Sequence, residues 1–225
     1  MPDRPTTRPR RRSRTRAGLT REHVLNAAIA LADEGGVEAI TMRRLGQALG
    51  VEAMSLYNHV GGKDDLLDGI LELVVDGIAR IPELPAWRQT MREQSLAARA
   101  VVLAHPWLPG LAIARSAAHP AILRYADWIM GLLQAGGLPN QLVHDGMHVL
   151  GSRVLGFAQD LFDPDQVKER PGEELEEIRP DRYPRLFRAI QGVRHDNEEE
   201  FAFGLDLILD GLERRRLDAA RAPAP

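Results

Sequence analysis

The sequence contains no cysteine, and only two of its 29 basic residues, Lys63 and Lys168, are lysines. The absence of cysteine excludes a disulfide scaffold, a thiol nucleophile and metal sites built on thiolate. Long apolar runs are missing too, since the longest uncharged stretches, Ala100–Ala114 and Trp128–Val143, are short and broken by proline or glycine. No apolar stretch that could serve as a signal-peptide core follows Arg16, so we expect a soluble cytoplasmic protein with no membrane partner.

Sequence signatures of catalysis are also lacking. There is no G-x-S-x-G elbow, and Gly61-Gly62-Lys63 lacks the earlier spaced glycine and the preceding strand of a phosphate loop. The acidic residues of Asp163–Arg179 are typical of a flexible, solvated loop. We therefore predict that the chain is not an enzyme, and no cofactor is indicated.

Arginine is abundant near the N-terminus, although the net charge of the 225 residues is only −3. Residues 1–63 carry eleven basic and six acidic side chains, a balance of +5, and the remainder carries eighteen and twenty-six, a balance of −8. Residues 1–18 have the composition of a disordered basic arm. This division predicts that a polyanionic partner meets the N-terminal part of the chain.

Hydrophobic spacing predicts an all-α chain of nine or ten helices, because no run of alternating β-branched residues occurs. Caps and breakers set the expected boundaries. The predicted helices are Thr20–Gly35, Thr41–Gly50, Glu52–His59, Asp64–Ile81, Trp87–Ala104, a short piece after Pro106, Pro120–Ala135, Pro139–Phe162, Pro184–Gln191 and Asp196–Leu217.

The second and third helices have the pattern of a helix-turn-helix, whose second helix enters the DNA major groove. Gly50 joins them, and Gly46 is small where a crossing helix would come closest. A shared core is available in Leu45, Leu49, Val51, Leu56 and Val60, and the outward side offers Ala53, Ser55, Tyr57, Asn58 and His59. The same pattern occurs in structural helix pairs. A helical interaction protein, or one that binds DNA without sequence preference and has no ligand, is therefore the alternative.

The run Ala39–Leu67, AITMRRLGQALGVEAMSLYNHVGGKDDLL, resembles the DNA-binding domain of the TetR family of bacterial transcriptional repressors. The resemblance implies a three-helix DNA-binding domain over residues 19–80. It implies that Thr41 caps the second helix and touches a phosphate, that Arg43 reaches a base edge, and that Lys63 binds phosphate. The remaining implied DNA contacts are Ala53, Ser55, Tyr57 and His59.

The later helices are similar to the tetracycline-repressor type of C-terminal domain at Ala104–Leu108 and Val149–Phe157. This similarity implies a ligand-binding and dimerisation domain over residues 86–217. In it, Pro139–Phe162 and Asp196–Leu217 pair with their copies in a four-helix bundle. Gly146, Gly151 and Gly156 are costly inside a helix unless close packing compensates, either with the second copy or within the same subunit.

A ligand pocket is predicted in this domain, although a plain core is the favoured interpretation of each of its residues taken singly. The candidates are His105, Trp107, Trp128, Met130, His144, Met147, His148, Leu150 and Phe157. His144 and His148 have the spacing of two zinc ligands but lack a third, so no metal site is predicted. Ser152 stands where the resemblance places a pocket histidine, and only Asp160 could supply a metal ligand of a tetracycline–magnesium site. The expected effector is therefore another small molecule.

Together these features predict a ligand-responsive repressor that binds a double-stranded, pseudo-palindromic operator as a homodimer. Half-sites are expected about 34–36 Å apart, or a multiple of that distance. A small-molecule inducer would release the DNA by favouring one of two dimer states, and helix Asp64–Ile81 is predicted to transmit the change. The arginine arm either contacts the adjacent groove or only adds solubility.

Overall fold

A computed structural model of the chain describes residues 19–84, 86–115, 118–156, 181–190 and 196–221, and these form helices without any strand. The chain divides into two compact units, Met1–Ile70 and Leu71–Pro225. The predicted basic arm, the acidic loop and the last part of the predicted helix Pro139–Phe162 lie outside the described residues. Within the described ranges, the all-α prediction is confirmed.

From residue 19 onward, where its description begins, the N-terminal unit contains three complete helices and the start of a fourth. They are α1 (Arg21–Gly35), α2 (Met42–Leu49), α3 (Ala53–Leu56) and α4 (Lys63–Asp76), with one 3₁₀ turn at Val37–Ala39. The hydroxyls of Thr20 and Thr41 each accept a hydrogen bond of 3.2 Å from the backbone N–H three residues on, which caps α1 and α2 as predicted. Gly36 and Gly50 end these two helices with φ of 73° and 67°, values that favour glycine.

Two helices are shorter than the sequence predicts. The α-helical part of α3 stops at Leu56, and the chain tightens into i+3 bonding, with the N–H of His59 donating to the carbonyl of Leu56 at 2.8 Å. Helix α4 stops at Asp76 instead of Ile81. Gly77 follows it, and glycine destabilises a helix by about 1 kcal/mol relative to alanine.

The predicted core of the helix-turn-helix is largely confirmed. Leu45, Leu56 and Val60 are buried, whereas Leu49 and Val51 are half-buried. The fully or nearly buried partners from the rest of this unit are Val24, Ala28, Ala32, Ile40, Leu66 and Ile70. This core fixes α3 by its single buried leucine and leaves the opposite side of the short helix exposed.

The described residues of the C-terminal unit form six further helices, of which α5, α7, α8 and α10 pack against one another. They are α5 (Trp87–Ala104), α6 (Leu108–Ala114), α7 (Pro120–Ala135), α8 (Asn140–Gly156), α9 (Pro184–Ile190) and α10 (Asn197–Arg221). Their shared core contains Met91, Ile129, Leu133, Leu138, Leu142, Val143, Leu150, Phe201, Leu205, Leu209 and Leu212. Helices α5 and α7 have the predicted bounds, and α10 extends four residues beyond the predicted end at Leu217.

Buried polar side chains of α5 bind the segment that follows α4. The Gln94 Oε1 accepts from the N–H of Ile81 at 2.9 Å, and the hydroxyl of Thr90 accepts from the N–H of Leu84, also at 2.9 Å. Gln94 also donates through Nε2 to the hydroxyl of Tyr125 at 3.1 Å. The two side chains therefore attach this connecting segment to α5 and satisfy their own hydrogen-bonding groups.

None of the described helices is by itself both long and apolar enough to cross a membrane. Only α5 and α6 taken together, across a bend of 96°, have the necessary length and composition.

Candidate nucleic-acid interface and effector unit

The outward surface of α3 is formed by side chains opposite its buried leucine. Leu56 has no exposed surface, whereas Met54 is 76% exposed and Tyr57 is 50% exposed. Among the other predicted contacts of this segment, Ala53, Ser55 and His59 are half-buried, and Asn58, which belongs to the outward side but is not a predicted contact, is exposed. The sequence analysis missed Met54. Its exposure follows from its position two residues before the predicted core residue Leu56, because residues two apart on a helix lie about 200° apart around the axis.

The predicted contacts on either side of α3 are also at the surface. Thr41, Arg43 and Lys63 are exposed, at the start of α2 and at the first residue of α4. The first turn of α2 contains no acidic residue, so the positive end of its dipole is available to a phosphate. Arg44 differs from Arg43, because its guanidinium donates to the carbonyl of Ala39 at 3.2 Å and supports the fold.

An ion pair between α1 and α4 holds the turn that follows α3. The two guanidinium nitrogens of Arg21 donate to the carboxylate of Asp65 at 2.8 and 2.7 Å, and one also donates to the carbonyl of His59 at 3.0 Å. Asp65 accepts a further bond of 2.7 Å from the N–H of Gly61. The Arg21 hydrogen bonds, followed by that of Gly61, lower the pKa of Asp65 to about 2. The sequence analysis counted Arg21 only as charge and missed this contact.

The predicted effector residues lie in several places within the C-terminal unit. His105 and Trp107 form one ring contact, with centroids 5.5 Å apart, and the predicted Trp128 contacts the ring of Tyr125 at 6.1 Å. The side chains of Met130, Met147 and Leu150 belong to or pack against the common core. Phe157 lies outside the described residues.

The remaining predicted effector residues, His144 and His148, lie on an exposed face of α8, with ring centroids 4.6 Å apart. The ring Nδ1 of His144 lies 3.3 Å from a carboxylate oxygen of Asp145. No group of three or more histidine, aspartate or glutamate side chains in the described ranges could hold a metal ion. The two histidines therefore form a surface pair, separate from the aromatic contacts made by Trp107 and Trp128.

Two cavities of the C-terminal unit are formed by other residues. One of about 350 Å³ lies beside Trp87, whose indole N–H donates to Glu213 at 3.0 Å. Arg216 also binds Glu213 through two nitrogens, and these hydrogen bonds are the main cause that lowers the pKa of Glu213 to about 2. The other, a groove of about 340 Å³, runs between α8 and α10 past Val149 and Leu207.

Two arginines that the sequence analysis did not identify surround the first turn of α10. The guanidinium carbons of Arg99 and Arg153 lie 4.6 and 5.1 Å from the centre of the Phe201 ring. Arg99 donates to the carbonyl of Asn197 at 3.1 Å, and Arg153 donates to that of Glu200 at 2.6 Å. These contacts connect α5 and α8 to the start of α10.

Comparison with known proteins identifies both units. Residues 24–70 match the family described as bacterial regulatory proteins, tetR family, and residues 81–216 match the tetracyclin repressor-like C-terminal domain. The chain belongs to the TetR family. The helix-turn-helix of this TetR-family chain thus lies in the unit that carries all seven predicted DNA contacts.

Relatives of this TetR-family chain are transcriptional regulators. The repressor DrrR1 of Streptomyces coeruleorubidus is 30% identical over 213 residues, which cover 87% of this chain and 77% of DrrR1. The class D tetracycline repressor of Escherichia coli is 39% identical over 93 residues, covering 39% of this chain and 41% of that repressor. The structure of ActR from Streptomyces coelicolor with actinorhodin is 29% identical, with a TM-score of 0.68, covering 89% of this chain and 99% of ActR.

These findings confirm the predicted family, fold and general function. The chain is a ligand-responsive transcriptional repressor with an N-terminal helix-turn-helix, and its relatives are regulators of transcription, not enzymes.

Proposed function

We propose that this repressor binds a pseudo-palindromic operator as a homodimer, with α3 of each subunit in the major groove. The observation that carries the proposal is the two-sided character of α3, which is anchored by the buried Leu56 and exposes Met54 and Tyr57. A short helix fixed at one side can enter the groove without loss of core packing. Because its partner is bacterial DNA, the repressor acts in the cytoplasm.

The contacts divide into those that read bases and those that bind phosphates. Arg43 is the proposed base reader, because its planar guanidinium matches the O6 and N7 acceptors of guanine. Thr41 and Lys63 are the proposed phosphate contacts at the two sides of α3, and Ser55, Tyr57 and His59 supply further contacts to backbone or bases. Ala53 is small enough to let α3 approach the base edges.

Footprinting on the DNA upstream of the chain's own gene tests this proposal and should protect an inverted repeat. Arg43→Ala should reduce discrimination between operator and random DNA by about 1–3 kcal/mol, whereas Lys63→Ala should weaken binding to both alike. The matched control is Arg92→Ala, which removes an arginine of α5 that pairs with Asp206. It should change neither the discrimination between operator and random DNA nor the affinity for either. Equal protection of random DNA would leave only a protein that binds DNA without sequence preference.

The proposed dimer uses the outward faces of α8 and α10. Phe203 and Leu207 are 67% and 57% exposed on α10, and Val149 and Leu155 are exposed on α8. An apolar face of this kind on a folded chain is typical of an association surface. Added Cβ atoms at Gly151 and Gly156 meet nothing within 4 Å, so packing against the described residues of the chain does not explain these two glycines. Gly146 instead packs against Leu212 of the same chain.

The effector is proposed to bind the C-terminal unit. The actinorhodin bound to ActR makes that compound the first ligand to test. Two alternative positions are proposed for the effector, one at the aromatic contact of Trp107 with His105 and the other at that of Trp128 with Tyr125. The sequence-based candidates Met147, His144, His148 and Phe157 are proposed only as additional contacts. Titration with actinorhodin, followed by tryptophan fluorescence and by release of the operator, tests this assignment. Trp107→Phe and Trp128→Phe show which indole reports binding.

A further inference from the structure

Met54 is the most exposed side chain of α3. With 76% of its surface exposed, it is more exposed than Tyr57, and the half-buried Ala53 and Ser55 stand on either side of it. The placement follows from helix geometry, since Leu56, two residues later, is fully buried on the opposite side. In the proposed complex, Met54 is therefore the side chain of α3 that points most directly into the groove.

The chemistry of methionine limits what it can recognise there. Its thioether side chain is apolar, flexible and polarizable, and it has no hydrogen-bond donor and only a weak acceptor. Among the base edges of the major groove, the apolar feature is the C5-methyl group of thymine, and the other features are hydrogen-bond donors and acceptors. If methionine displaces water from a polar base edge, that edge loses a hydrogen bond that methionine does not replace. If methionine contacts a methyl group, two apolar surfaces are removed from water, which is favourable.

We propose that Met54 is a specificity-determining residue that contacts the C5-methyl of one thymine in each operator half-site. The inference rests on the proposed entry of α3 into the major groove. It gives Arg43 and Met54 different roles in recognition. Arg43 reads guanine by hydrogen bonds, and Met54 reads thymine by an apolar contact. Two such contacts, one for each subunit, would favour a T·A pair at two symmetric positions of the operator.

Replacement of thymine by deoxyuridine tests the proposal, because deoxyuridine pairs like thymine and lacks only the C5-methyl. The full chain first selects its operator from a random duplex pool. Deoxyuridine then replaces one thymine position at a time, in both half-sites of the same duplex. At one position the replacement should weaken the wild type about three- to tenfold. Met54→Ala should bind the unmodified operator more weakly and be insensitive to that same replacement. Met54→Leu, which keeps an apolar side chain, should remain sensitive.

Several outcomes overturn the inference. They are a half-site without thymine, a wild type that binds every deoxyuridine operator as tightly as the original, and equal losses for the wild type and Met54→Ala at every thymine. In each of these cases the selected operator would still support the proposed function. If no sequence were enriched from the pool, both the role of Met54 and the proposed binding of a specific operator would be contradicted. Because Met54 is exposed, the variants should fold, and circular dichroism with the thermal midpoint checks this for each.

Discussion

At the scale of single residues, Gly46 controls the crossing of α2 and α3. A Cβ added at this position would lie 2.9 Å from the carbonyl oxygen of Val51 and 3.3 Å from the backbone nitrogen of Ala53. Both atoms are backbone, so no side chain can rotate away. Gly46→Ala should therefore lower the free energy of unfolding by about 1–3 kcal/mol, despite alanine's better helix propensity, and should weaken operator binding.

Thermal unfolding and an operator titration measure the effect of Gly46→Ala. The matched control is Gly131→Ala in α7, where an added Cβ meets nothing within 4 Å. This control should stabilise the chain by up to about 1 kcal/mol through helix propensity and leave operator binding unchanged. If Gly46→Ala were as stable as the wild type, the close approach of the α2–α3 turn would not limit this position.

The ion pair of Arg21 with Asp65 gives a prediction for pH. Because its hydrogen bonds lower the pKa of Asp65 from 3.8 to about 2, the ionised carboxylate stabilises the fold above the unfolded pKa. This contribution is lost as the pH falls from about 5 towards 2. Asp65→Asn should therefore lower the thermal midpoint at pH 7, and its difference from the wild type should shrink over that acid range. Glu22→Gln, in the first turn of α1, is the control, and a difference independent of pH would contradict the prediction.

The sequence predicts residues whose contacts are local along the chain better than residues whose partners are distant along it. Thr20, Thr41 and Gly50 follow local rules of capping and handedness, so the sequence alone predicts them. Arg21 acts on Asp65, 44 residues away, and nothing in its neighbours along the chain indicates this pairing. Met54 could have been found, since its exposure follows from the burial of Leu56 two residues later.

At the scale of whole elements, α4 belongs partly to each compact unit, since the boundary falls between Ile70 and Leu71. Arg124 of α7 binds the last part of α4, because its guanidinium donates to Glu72 at 2.9 Å and to Asp76 at 2.6 Å. Arg124→Ala should therefore speed hydrogen exchange of the backbone amides in residues 71–78. The effect on global stability should be small, because the ion pairs are exposed.

Hydrogen exchange followed by mass spectrometry measures this local opening of α4. Arg92→Ala is the control, since it removes an ion pair of similar exposure between α5 and Asp206 that does not involve α4. It should leave the exchange of residues 71–78 unchanged. Equal exchange in Arg124→Ala and the wild type would show that these carboxylates do not hold the end of α4.

The elements themselves show where sequence reasoning ends. The sequence predicts α5 and α7 at their observed bounds, because prolines at positions 85 and 106 flank α5, and Pro120 and the Gly136-Gly137 pair bound α7. It does not predict the ends of α3 and α4, since both helices continue into turns that keep some helical hydrogen bonds. Residue type alone indicates the candidate effector residues, and their separation into two aromatic contacts and one surface pair depends on packing that periodicity does not encode.

At the scale of the whole molecule, the two stretches of opposite charge have different tasks. The positive excess of residues 1–63 comes from residues 1–18, which carry seven basic side chains and one acidic side chain and precede the helix-turn-helix in the sequence. Some acidic side chains of the C-terminal unit form ion pairs within that unit. Asp206 and Asp210 of α10 pair with Arg92 and Arg88 of α5. The remaining negative charge opposes non-specific contact of the C-terminal unit with DNA. This distribution favours the N-terminal unit as the DNA-binding surface, and the apolar faces of α8 and α10 form the proposed dimer contact.

The dimer is the property of the whole molecule that these faces predict. Leu207→Glu should produce a monomer at micromolar concentration, because a charge would be buried in an apolar contact without a partner. Ile113→Glu changes a side chain of α6 that is even more exposed, at 78%, but lies outside the proposed face, so it should remain a dimer. Analytical ultracentrifugation measures both. Leu207→Glu should also bind a single half-site as tightly as the full operator, since one subunit can contact only one. A wild type that is monomeric at this concentration, or a Leu207→Glu variant that remains dimeric, would contradict the α8 and α10 interface.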